Sequence, residues 1–137
     1  MTERNMLIIK TSWSQIIAQP DKPGVQFYEK LFDLAPCLRT MFQPNLEHQI
    51  AKFTDMITHM VTHLQNSDSN ESELTALAKR HVNYGTKPEH YALVGDALLF
   101  TLKNSLGDSW DHETATAWTD LYQFWTTRMI RAAHISA

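Results

Sequence analysis

A chain of 137 residues has the length of one domain, enough to bury roughly two-thirds of its unfolded surface. Its formal charge of −3 gives no electrostatic reason to expect nucleic acid or an anionic membrane as a partner. The single cysteine, Cys37, excludes an intrachain disulfide and a multi-cysteine metal site, and beside Pro36 it reads as a small buried hydrophobe.

Four glycines and five prolines are few, and the segments between them have helical periodicity. The first predicted helix runs from about residue 4 to 19, with Ile9, Trp13, Ile16 and Ile17 on one stripe. Asp21-Lys-Pro23 breaks it. The second, about 23–34, carries Val25, Tyr28, Leu31 and Phe32. Pro36 opens a short helical piece through Leu38 to Phe42, and Pro44-Asn45 breaks again. A long helix follows, about 46–65, with Ile50, Phe53, Ile57, Met60 and Leu64 spaced for burial.

After the polar stretch Gln65–Asn70, Asn70 and Glu73 have capping-box spacing for a helix that Gly85 stops. Pro88 starts the next helix, which reaches about Leu106 and carries Tyr91, Val94, Gly95, Leu98 and Leu102. The last helix, about 112–133, carries Trp118, Leu121, Tyr122, Trp125 and Met129. Seven helical segments joined by short connections predict an all-α domain spanning residues 1–137. No run approaches the ~18 apolar residues of a membrane span. The start Met1–Met6 lacks a signal-type apolar segment, so a cytoplasmic location is expected.

Chemistry points first to His81. Leu74, Leu77, Ala78 and His81 stand at i, i+3, i+4 and i+7, so an apolar helix face ends in an imidazole. Such a histidine is either hydrogen-bonded in the core or holds something there, and imidazole is a good ligand for iron or zinc. His59 and His63 form an i, i+4 pair able to chelate zinc, but no carboxylate accompanies them in zinc-protease spacing. His90 and His112, near helix starts, read as solvated. No phosphate loop, nucleophile elbow or close carboxylate pair is present. Tyr28 and Gln49 are polar residues at buried-looking positions, each also readable as a rim or solvated residue.

Three stretches together resemble the globin family: Phe27-Tyr-Glu-Lys-Leu-Phe32 with Pro36 and Phe42, then Arg80-His-Val-Asn-Tyr-Gly85, then Lys87-Pro-Glu-His-Tyr-Ala-Leu-Val-Gly95. The likeness spans nearly the whole chain. It is closer to bacterial single-domain globins and flavohaemoglobin haem domains than to animal myoglobins. It implies a globin fold around one haem b pocket, with His81 as the proximal iron ligand. Phe42, Phe53, Tyr91 and Val94 are implied at the haem, and Tyr28 and Gln49 on the distal side. His48, one residue earlier, would be distal if the register slipped; Gln49 is preferred because it puts Phe53, not Lys52, over the haem.

The resemblance further implies dioxygen as ligand, with nitric oxide and carbon monoxide as related ones. Both the phenol of Tyr28 and the amide of Gln49 are hydrogen-bond donors suited to a polar ligand. Nitric oxide dioxygenation is a further expectation. With no flavin or nicotinamide fingerprint before Ala137, its electrons are expected from a separate reductase. Flavohaemoglobins place a glutamate near the position of Ala133, and its loss would weaken the proximal histidine as an electron donor. Two alternatives remain: a haem-based gas sensor, and a haem-free helical signalling module.

Overall fold

A computed structural model describes residues 2–19, 23–41, 46–62, 64, 76 and 88–136, with backbone alone at 40, 41, 46, 88 and 132–136. Five α-helices carry it: α1 (Glu3–Ile17), α2 (Pro23–Leu34), α3 (Leu46–Thr62), α4 (Pro88–Leu106) and α5 (His112–Ser136). Two short 3-10 helices, Pro36–Met41 and Gly107–Ser109, complete the described elements, and no strand occurs among the described residues.

Local chemistry sets the helix starts. Thr2 caps α1 by accepting the Asn5 N–H at 3.1 Å, with Glu3 in the first turn. α2 and α4 begin on Pro23 and Pro88, whose missing N–H costs nothing in a first turn. Asp111 caps α5 by accepting the Thr114 N–H at 2.7 Å. Its hydrogen bonds from Thr114 hold the Asp111 carboxyl below its ordinary pKa.

α2 packs chiefly against α4 and also lies across α3, while α1 rests on α5, α3 and α4. One core joins them, from Ile9, Trp13 and Ile16 through Leu31 and Ile57 to Leu98, Leu102, Trp118 and Leu121. At the α2–α3 crossing the backbones nearly touch. A Cβ on Gly24 would sit 2.8 Å from the Ile50 Cγ2 and 3.0 Å from its carbonyl oxygen, so this position requires glycine. Two of the three buried indoles donate to hydroxyls. Trp13 donates to Thr58 Oγ1 at 3.0 Å and Trp118 to Ser12 Oγ at 2.8 Å, while Ser12 donates to the Ile8 carbonyl at 2.7 Å.

The structure corrects several expectations. α1 ends at Ile17, two residues early, and Ile17 is 50% exposed because it lies about 100° around the helix from buried Ile16. Val25 is 40% exposed for the same reason: Gly24, its neighbour, faces α3. Cys37 is exposed, because the Pro36–Met41 piece is a 3-10 helix that turns Leu38 inward instead. α5 continues to Ser136. Among the described residues no helix is long and apolar enough to cross a membrane.

Candidate functional site

The site begins with the rhythm of α3. Phe53, Ile57, Met60 and Val61 are buried and Gln49 and Ile50 half-buried, whereas Glu47, His48, Ala51, Lys52, Asp55 and Met56 are exposed. That is one helix face at i, i+4 spacing turned to the core. Gln49 and Phe53 share it, and His48 and Lys52 do not.

Opposite this face, α2 contributes Phe27, Tyr28 and Phe32. Phe27 and Phe53 stack with centroids 4.3 Å apart and planes at 22°. Tyr28 meets Phe27 edge-on at 4.9 Å and Phe53 at 6.4 Å, with Phe32 at 5.9 Å. The result is an aromatic wall holding one phenol. Tyr28 is only 5% exposed, and its hydroxyl donates to the Gln49 backbone carbonyl at 3.2 Å. Burial pushes this phenol up to about 12, so at neutral pH it keeps its proton and acts as a donor. The rim reading of Tyr28 is thereby corrected.

On α4, Tyr91 and Val94 are half-buried and packed against the core. Burial raises the Tyr91 phenol as well. Tyr122 reaches across from α5, and its hydroxyl donates to the Tyr91 carbonyl at 2.6 Å. Burial raises the Tyr122 phenol above its ordinary value, assisted by Tyr91 and the Asp96 carboxylate.

The structure therefore brings Tyr28, Gln49 and Phe53 together across α2 and α3, and sets Tyr91 and Val94 on the first two turns of α4. His81, Phe42 and His63 lie outside the described residues, as does the expected helix from Asn70 to Gly85 apart from Ala76. His112 is exposed, but His90 is half-buried. His59 is exposed and edges against Trp125 at 6.4 Å. Among the described residues no group of three or more His, Cys, Asp or Glu could hold a metal ion.

Two contributors have no role assigned from the sequence, although Phe27 opens one of the stretches that carry the family resemblance. Phe27 belongs to the inward stripe, and its spacing from Gly24 and Leu31 (i−3, i+4) carries that signal. Tyr122 is legible as a core residue, but its hydrogen bond joins positions 31 apart in the chain and has no local signature.

The Globin family model matches residues 25–129. Neuroglobin-1 of Oncorhynchus mykiss is 29% identical over 146 residues, covering 96% of this chain and 91% of the relative. Neuroglobin of Danio rerio is 26% identical over 145 residues with the same coverage. The structure of a bacterial globin from Campylobacter jejuni matches with a TM-score of 0.83 at 26% identity, over 97% of this chain and 96% of that one. A hexacoordinated haem protein from an anhydrobiotic tardigrade shares the fold, with a TM-score of 0.85 at 16% identity over 98% and 96% of the two chains.

Proposed function

The chain belongs to the globin family, whose members bind gaseous ligands through haem, and from that premise we propose that this protein binds dioxygen, held by Tyr28 and Gln49. The observation that carries the reading is a 5%-exposed phenol set in an aromatic wall and hydrogen-bonded to the backbone of half-buried Gln49. This donor set suits haem b: apolar rings for the macrocycle and neutral donors for a polar ligand, with the Arg39 guanidinium at the outer end of the wall, 5.3 Å from the Phe32 centroid. His81 would hold the iron, and Phe42, Phe53, Tyr91 and Val94 would contact the macrocycle. When bound, the haem supplies an iron that takes up dioxygen.

The distal residues then set how long the ligand stays. A hydrogen bond to a charged acceptor contributes about 1.5–3 kcal/mol, against about 0.5–1.5 kcal/mol for an ordinary one. Tyr28 has a single proton and spends it on the Gln49 carbonyl, so turning to a ligand exchanges the weaker bond for the stronger. The net gain, about 1.4 kcal/mol, corresponds to roughly tenfold slower release. The carbonyl loses little, because a carbonyl in the first turn of a helix also accepts from the amide four residues on. Gln49 is less buried and has the smaller effect. The exposed position of His48 supports Gln49 as the distal residue, and the Tyr28 hydroxyl, already donating to the Gln49 carbonyl, supports a donor role.

The reading extends to nitric oxide dioxygenation, in which NO, O2 and one electron give nitrate. Tyr28 and Gln49 would keep oxygen in place until nitric oxide arrives, and the electron would come from a separate reductase. Purified protein is expected to show an intense Soret band, lost or shifted in His81→Gly and restored by imidazole. An unchanged spectrum in that variant would assign the iron to another residue, and the absence of any band would favour the haem-free module. Oxygenated protein mixed with nitric oxide is expected to turn over once, and repeatedly only with an added reductase. Sustained turnover with NADH alone would refute the need for a partner.

A further inference from the structure

The α2–α3 crossing presses two phenyl rings together. Gly24 meets Ile50 where the backbones nearly touch, and Phe27 and Phe53 each stand three residues further along their helices. With no side chain at Gly24 to hold the helices apart, these rings stack at 4.3 Å with planes at 22°. Phe27 also meets the Tyr28 ring edge-on, at 4.9 Å and 80°. Phe32 at 5.9 Å and Phe53 at 6.4 Å lie further from Tyr28. Among the described residues, the two shortest ring contacts of the wall thus both belong to Phe27.

These contacts matter because the Tyr28 hydrogen bond does little to aim the phenol. Its 3.2 Å is long for a hydroxyl donor, beyond the usual 2.5–3.0 Å. The hydroxyl also sits at the far end of the ring, where a small tilt displaces it most. Direction must then come from the rings around it. Stacked and edge-on pairs have preferred orientations, set by the quadrupole of each ring. Phe27 makes one of each, and all three rings are buried. We propose that Phe27 is a positioning residue of the ligand pocket: wedged between Tyr28 and Phe53, it aims the phenol at the ligand. Having no donor of its own, it acts through Tyr28. This inference rests on the dioxygen reading above.

The test uses the haem-loaded protein. Phe27→Leu and Phe27→Met both keep an apolar side chain and remove the ring, and flexible Met fills irregular space should Leu fail to fold. Either variant is expected to release oxygen about two- to tenfold faster, the range of one aromatic pair. In the carbon monoxide form, its iron–carbonyl stretching band should move towards that of Tyr28→Phe. Introduced into Tyr28→Phe, the same substitution should change oxygen release by less than about twofold, because the phenol through which it acts is already gone. If wild-type protein shows no Soret band, or Tyr28→Phe releases oxygen at the wild-type rate, the dioxygen reading fails and the inference with it. If Tyr28→Phe accelerates release while the Phe27 variants keep the wild-type rate and band, the dioxygen reading stands and the positioning role is overturned. An equal acceleration with and without the Tyr28 hydroxyl would reduce Phe27 to ordinary packing and overturn the proposal as well.

Discussion

The α1–α5 core and the α2–α3 wall are both aromatic and both contain buried polar groups, yet they use those groups differently. Between α1, α3 and α5, the Trp13 and Trp118 indoles donate to Thr58 and Ser12, and Ser12 passes its own proton to a carbonyl of its helix. These donors are fully committed to the fold. Between α2 and α3, the Tyr28 phenol donates at 3.2 Å to a carbonyl in the first turn of α3 that the helix ladder also serves, and Gln49 keeps part of its surface uncovered. The first arrangement holds the chain together; the second keeps a donor that a ligand can redirect. The comparison separates stability from ligand binding and predicts that the two respond to different substitutions.

The largest stability effect is expected in the first region. Trp118→Ala removes a ring that is 1% exposed and should cost about 3–5 kcal/mol in urea unfolding. Oxygen release from the molecules that remain folded should be unaltered; a large change there would mean that the two regions are coupled.

High pH probes the second region. The folded Tyr28 phenol titrates at about 12 against an ordinary 10.0, so the folded state holds its proton more tightly than the unfolded one. Its contribution is therefore fully present below pH 10 and is lost as pH rises towards 12, on the order of 2 kcal/mol. Tyr28→Phe should flatten the alkaline fall in stability relative to wild type, with the residual slope left to Tyr122 and Tyr91. An identical slope in both proteins would show that the phenol is not buried as described.

Ser12→Ala is expected to give the smallest of these changes, about 1–2 kcal/mol, because it leaves the Trp118 N–H buried without its acceptor. Oxygen kinetics should again be unmoved.

Much of this architecture can be read from the chain. Proline at 23, 36 and 88 marks three starts because a pyrrolidine is tolerated only where no amide partner is needed. Trp13, Phe53, Trp118 and Leu121 declare the core by their spacing. Misreadings arise where local geometry departs from a simple 3.6 period. Ile17 and Val25 lie a residue off the buried stripe, and Cys37 sits in a 3-10 turn with period three. The pairing of Tyr28 with Gln49 is legible through family resemblance, not from periodicity, since nothing local says that α2 crosses α3 at Gly24 and Ile50. Tyr122 is the same problem without a family clue: its partner is a backbone atom on another helix, visible only once α4 and α5 are packed. The likeness also reaches beyond bacterial globins, since neuroglobins of fish align over most of the chain.

The central claim is that Tyr28 and Gln49 are the donors that retain dioxygen, and stopped-flow oxygen dissociation tests it most directly. Tyr28→Phe should release oxygen about tenfold faster than wild type, from the exchange of one ordinary for one charge-assisted hydrogen bond. Gln49→Leu should accelerate release by less, and His48→Leu should leave it unchanged, since His48 lies on the exposed face of α3. Wild-type rates in both Tyr28→Phe and Gln49→Leu would contradict the account, and an effect of His48→Leu exceeding that of Gln49→Leu would move the distal position by one residue.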